Sequence, residues 1–232
     1  MTSFVGFDLE TTGVSSFDDA PVSFGFVEHV TVGGEALTWS ESDYVHPGVA
    51  IPTGATAVHG IIDEMVRLAT PLCEAVELLA ARLIKVWSDE GVIVGMNVAY
   101  DLTMVESLCQ RLALPTLVDR GGPGAVVDVL VVDRHFDKWR KGKRTLVDLC
   151  RHYDVALSDA HSALADADAS LAVFEVQRAR YGELATLGVA ELTASQRGWY
   201  REWLTSFSAY LEAKGDAPVA RGRYEWPLHS EG

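Results

Sequence analysis

The apolar run Phe4-Val5-Gly6-Phe7 passes directly into Asp8-Leu9-Glu10-Thr11-Thr12-Gly13, and this junction restricts the fold more than any other stretch of the chain. A short apolar run of this kind predicts a buried β-strand. Period two places Asp8 and Glu10 on one face at the strand's end. Two carboxylates held side by side raise each other's proton affinity unless a cation lies between them, so the pair favours a divalent metal. The competing reading is a solvated strand end with a turn at Thr12-Gly13.

Around this strand the periodicity predicts an α/β sheet. Residues 21–32 and 35–45 are β-branched and aromatic stretches separated by Gly33-Gly34, a probable hairpin. A short helical piece follows at 55–65, then Leu72, Ala75, Val76, Leu79, Ala80, Leu83 and Val86 recur at helical spacing until Gly91. Residues 92–96 and 125–132 read as the fourth and fifth strands. Helices are expected from Asp101 to Pro115, over 145–153 and over 161–181. Strands and helices alternate in this half, the pattern of an α/β sheet. Residues 182–188 read as a linker, 191–214 as a separate amphipathic helix, and the tail from Asp216 through Trp226-Pro227-Leu228 as extended chain.

Two more acids occupy suggestive positions. Asp101 opens a helix, where the macrodipole alone would favour an acid. Asp166 competes with Asp168, but on a helix the two point about 200° apart, so only one faces a given site.

The three acidic segments together resemble the DnaQ-like, or DEDD, 3′-5′ exonuclease superfamily. Asp-Leu-Glu-Thr-Thr-Gly after an apolar strand is similar to its first motif, Val94-Gly95-Met96-Asn97-Val98-Ala99-Tyr100-Asp101 to its second, and His161-Ser162-Ala163-Leu164-Ala165-Asp166 to the His-x-x-x-x-Asp of its DEDDh branch. The motifs occur in order, and the resemblance covers about residues 4–178. It selects Asp166 over Asp168. The segment from Pro52 through Ala57-Val58-His59-Gly60-Ile61 is similar to one that family members place near the substrate terminus.

The resemblance implies a ribonuclease-H-like architecture, a mixed five-stranded sheet flanked by helices, in a domain of residues 1–181, with a C-terminal helical extension and tail over 182–232. It implies two-metal hydrolysis, with Asp8, Glu10, Asp101 and Asp166 holding two Mg²⁺ or Mn²⁺, Asp8 bridging both, and His161 as general base. The product would be a nucleoside 5′-monophosphate. Thr11, Thr12, His59, Asn97 and Tyr100 are the expected substrate-side residues; Tyr100 reads equally as a core aromatic. The expected substrate is a nucleic acid with a free 3′ end, single-stranded or frayed. DNA trimming or proofreading is one reading, and RNA trimming of the oligoribonuclease type is another. A non-catalytic module that holds nucleic acid or a polymerase partner is a third. The likeness is to stand-alone bacterial or phage exonucleases.

Charge limits the mode of binding. With 19 lysines and arginines against 33 acids, a net charge of -14 argues against a stable non-specific grip on duplex phosphates. It does not argue against an enzyme that touches a few terminal nucleotides and neutralises its carboxylates with metal. The dense basic cluster Lys138-Trp139-Arg140-Lys141-Gly142-Lys143-Arg144 suits a single-stranded backbone and one stacked base, or is a solvated loop. Trp199, Trp203 and Tyr210 form a stripe expected to pack against the domain or a second copy in a homodimer. Cys73, Cys109 and Cys150 lack metal spacing and read as buried free thiols. His29, His46, His135, His152 and His229 read as structural or exposed. No run approaches the roughly 20 apolar residues of a membrane span, and a cytoplasmic enzyme is expected.

Overall fold

The computed structural model describes residues 2–32, 35–157 and 160–231; the predicted turn at Gly33-Gly34 lies outside them. Strands β1 (Phe4–Thr11), β2 (Pro21–Val32) and β3 (Glu35–His46) are followed by helices α1 (Thr53–His59) and α2 (Asp63–Val66) and a two-residue strand β4 (Thr70–Pro71). Then come α3 (Leu72–Ser88), β5 (Val92–Gly95), α4 (Ala99–Arg111), β6 (Ala125–Asp128) and α5 (Val129–Phe136). Helices α6 (Leu146–Tyr153), α7 (Ala163–Arg180), α8 (Gly182–Thr186) and α9 (Val189–Ala213) and a 3₁₀ turn (Arg221–Tyr224) complete the described chain.

The sheet has six strands in the order β4-β3-β2-β1-β5-β6, not the five expected. The extra one, β4, pairs with only Val45 and His46 and is too short to leave a periodic signal. β1 lies inside the sheet, antiparallel to β2 and parallel to β5. Its Val5, Phe7 and Leu9 join the core built with α3 and α4. Its other face carries Gly6, Asp8 and Glu10, and α7 crosses there. Gly6 and Gly25 let that helix approach closely: a Cβ at Gly6 would stand 2.4 Å from the Ala167 carbonyl oxygen, and one at Gly25, the β2 partner of Asp8, 2.5 Å from the Ala163 carbonyl oxygen.

Four local expectations change. The stretch predicted as strand over 125–132 leaves the sheet at Asp128, whose carboxylate accepts from the amides of Leu130 (2.9 Å) and Val131 (3.4 Å) and so caps α5. That cap outweighs the β propensity of the valines behind it. The linker over 182–188 contains α8. The helix predicted to open at Asp101 begins at Ala99, which puts Asp101 in its first turn. Cys73 is exposed, while Cys109 and Cys150 are buried as expected.

Helix α9 closes the edge of the sheet beyond β6. Buried Gln196 accepts from the Asp128 amide (2.8 Å) and donates to the Val126 carbonyl (3.0 Å), and Thr193 accepts from the Val126 amide (3.3 Å). These side chains satisfy β6 as a further strand would. The tail is folded instead of extended: Trp226 is buried in the α3–α4 core, and the His229 amide donates to Thr103 on α4 (2.9 Å).

Candidate active site

Three elements bring the predicted acids together. β1 supplies Asp8 and Glu10, and the first turn of α7 supplies Asp166. α4 supplies Asp101, buried, whose Oδ1 accepts from the Leu9 amide (3.2 Å), between the two β1 acids. Glu10, Asp166 and His161 offer ligand atoms all within 4.8 Å of one another. His161 is exposed, sits just before α7 with φ of 70°, and donates its amide to Asp166 (3.3 Å).

The electrostatics of this cluster are those of crowded anions. Burial pushes Asp8 well above the usual carboxylate range, and Asp101, Asp166 and Glu10 push it further. Burial raises Asp101 as well, against hydrogen bonds from amides, with Asp128 and Glu10 adding to the effect. Glu10 is raised to about 7 by burial and then by Asp166. Among the described residues, none of Asp8, Glu10 and Asp101 forms a salt bridge with lysine or arginine. Oxygen donors clustered as these three are, with no lysine or arginine partner among the described residues, fit hard divalent metals.

A further carboxylate beside the four, that of buried Asp128, belongs to none of the sequence motifs. Asp128 is raised to about 6 by burial. It accepts from the Asn97 amide (3.0 Å) and adds to the charge around Asp101. Its signal was the single acid within an apolar stretch, hidden by the strand expected through that position.

A cleft of about 840 Å³ opens from Glu10, and all five predicted substrate-side residues line it: Thr11, Thr12, His59, Asn97 and Tyr100. Their roles differ. The Tyr100 hydroxyl, its pKa raised to about 12 by burial, donates to the Gly13 carbonyl (2.7 Å) beside Thr11 and ties down the loop after β1. The Thr12 hydroxyl is engaged within the turn, donating to Asp19 (3.0 Å) and accepting from the Ala20 amide (3.1 Å). His59 accepts at Nδ1 from the Ile61 amide (3.0 Å) and places Nε2 3.3 Å from the Thr11 carbonyl. Burial lowers its pKa, so it is a neutral donor to that carbonyl. Asn97 is exposed and held at φ of 57°.

The far wall was not legible in the motifs. It includes Arg134, Tyr200, Trp203, Phe207, Arg223 and His229, from α5, α9 and the tail. Trp199, by contrast, packs against the domain, stacked on His135 at 4.1 Å. Two cations of the basic cluster, Arg140 and Arg144, turn inward onto fully buried Asp133, which leaves Lys138, Trp139, Lys141 and Lys143 exposed.

The sheet order and the helices that flank it are those of the ribonuclease-H-like class. Residues 5–174 match the family model described as Exonuclease (RNase T), and the chain belongs to that family of DnaQ-like exonucleases.

Among relatives, the DNA polymerase III PolC-type protein of Caldanaerobacter subterraneus subsp. tengcongensis is 28% identical over 191 residues, 82% of this chain and 13% of that protein. The PolC-type protein of Oceanobacillus iheyensis is 28% identical over 168 residues, 72% of this chain and 11% of its own length. The chain thus spans only a small part of these polymerases. E. coli exonuclease I in complex with a dT13 oligonucleotide superposes with a TM-score of 0.63 at 20% identity, over 79% of this chain and 42% of that one. Exonuclease X in complex with 5′ overhanging duplex DNA gives 0.53 at 18% identity, over 84% and 99%. At these identities the likeness to the solved structures is one of fold. No helix among the described residues is long and apolar enough to cross a membrane.

Proposed function

We propose that the chain removes nucleoside 5′-monophosphates from single-stranded or frayed 3′ ends of DNA. The observation that carries this reading is the convergence of Asp8, Glu10, Asp101 and Asp166, without a partner lysine or arginine for the first three among the described residues, with Glu10 also lining a cleft wide enough for a nucleotide. These four side chains would hold two Mg²⁺ or Mn²⁺, which would supply Lewis acidity toward the attacking water and the leaving 3′-oxygen. His161 is the general base: it is exposed, next to Glu10 and Asp166, and able to take a proton from water and release it to solvent. Tyr100 and His59 act as positioning residues by fixing the loop that receives the terminal nucleotide. The domain through residue 181 carries the chemistry, and the extension beyond it walls the cleft. Relatives that are DNA polymerases favour DNA over RNA, and a polymerase partner is the context they suggest.

The test is a panel of matched single-stranded DNA, duplex with a mismatched 3′ end, and RNA, each with Mn²⁺ or EDTA. Stepwise loss of 3′ nucleotides from DNA in Mn²⁺ alone is expected. Preference for RNA would assign the trimming alternative, and binding without hydrolysis of any substrate would assign a holding module.

A further inference from the structure

Helix α9 carries three aromatic rings that continue outward from the cleft. Trp203 and Phe207 stack with centroids 5.3 Å apart at 9°, and Phe207 and Tyr210 follow at 6.4 Å and 21°. Phe207 is 38% exposed and Tyr210 52%. A cation stands at each end: the Arg134 guanidinium lies 3.4 Å from the Trp203 ring centroid, and the Lys214 ammonium 4.8 Å from that of Tyr210.

We infer that Trp203, Phe207 and Tyr210, stacked on one another, form an aromatic ladder whose exposed flanks receive the single strand upstream of the 3′-terminal nucleotide. The inference deepens the reading above and rests on it for the location of the 3′ end. Three observations identify the occupant. The ladder is continuous with the site, because Trp203 and Phe207 line the same cleft as Glu10. With a net charge of -14, phosphate attraction summed over the chain is unfavourable, so contact with aromatic side chains is the sequence-tolerant grip available. The seven residue steps from Trp203 to Tyr210 rise about 10 Å along the helix, the length of about three stacked nucleotides at about 3.4 Å each. The bases would lie along the exposed flanks of Phe207 and Tyr210, with a phosphate near Lys214.

The experiment measures binding separately from cleavage. Fluorescence anisotropy of labelled oligo-dT of two, three, five and eight nucleotides is recorded with the full chain in EDTA, for wild type, Phe207→Ala, Tyr210→Ala and the conservative Tyr210→Phe. Wild-type affinity should rise with length to about five nucleotides and then level off, because the ladder is then filled. Each alanine variant should weaken dT8 binding about tenfold and flatten the length dependence, while Tyr210→Phe restores both. Equal affinity of wild type and alanine variants for dT8, or no wild-type binding at any length, overturns the ladder. So does a shift in oligomeric state on gel filtration without a change in DNA affinity, which would assign the rings to a second copy. If wild type binds with this length dependence but releases no nucleotide in Mn²⁺, the ladder stands and the hydrolytic reading fails.

Discussion

Gly25 of β2 and Ala163 of α7 meet backbone to backbone, so closely that a Cβ on Gly25 would stand 2.5 Å from the Ala163 carbonyl oxygen. Asp166 follows one turn into the helix, and Gly25 is the cross-strand partner of Asp8. The contact therefore sets how near the α7 acid comes to the β1 acids. Gly25→Ala should cost about 1–3 kcal/mol through overpacking. It should also lower nuclease activity more than tenfold by displacing Asp166. Gly198→Ala in α9, where a Cβ meets nothing within 4 Å, should instead raise stability by up to about 1 kcal/mol. Urea denaturation and initial rates of the two variants provide the check.

Metal binding should stabilise the fold, because it relieves repulsion present in the folded state alone. At a hundredfold excess over Kd the gain is about 2.7 kcal/mol, or about 8 °C in Tm for a chain of this size. Thermal melts in EDTA and in Mn²⁺ measure it. Asp8→Asn should melt higher than wild type in EDTA and gain little from Mn²⁺; a full Mn²⁺ shift in that variant would remove Asp8 from the metal site.

Glu10 predicts a pH dependence of definite sign. Its carboxyl holds a proton up to about 7 in the folded chain against an ordinary 4.5. Between these values the folded state binds more protons than the unfolded one, so the metal-free protein loses stability as pH rises through this window. Below it the penalty is absent, and above it the full penalty, on the order of 3 kcal/mol, remains. Glu10→Gln should therefore raise the Tm in EDTA at pH 8 and leave it nearly unchanged at pH 4. Comparing variant with wild type at each pH cancels the buried histidines, such as His229, whose lowered pKa acts in the opposite direction.

The edge closure by Gln196 is a stability feature. Gln196→Leu would leave the buried Asp128 amide without its side-chain acceptor and the Val126 carbonyl with only the Thr193 hydroxyl, at 3.4 Å, as a side-chain donor. A loss of about 2–4 kcal/mol is expected in denaturant melts, with Asp128 and hence Asp101 disturbed. Stability equal to wild type would show that β6 does not depend on α9.

The parts of this fold that sequence revealed are those with a local physical signature. Strand β1 and its paired acids follow from apolar content and period two, and α3 from its recurring leucines and alanines. The His161–Asp166 spacing placed two groups together that geometry confirms as neighbours. What escaped depends on tertiary partners. Asp128 ended a strand whose valines would have continued it, because its side chain bonds to amides that become available only when α5 begins. Arg140 and Arg144 read as surface cations, yet fully buried Asp133 draws both inward. The tail looked extended because nothing local indicates that Trp226 reaches the α3–α4 core.

In the proposed reaction the four carboxylates act together on a 3′ end, and one measurement tests that most directly. A 5′-labelled single-stranded DNA is incubated with wild type and with Asp101→Asn in Mn²⁺, and the products are resolved by length. Wild type should give a ladder shortening one nucleotide at a time from the 3′ end, and the variant should lose at least about a thousandfold in rate. Immediate release of the label as a mononucleotide, or an undiminished rate in Asp101→Asn, would contradict the proposed reaction.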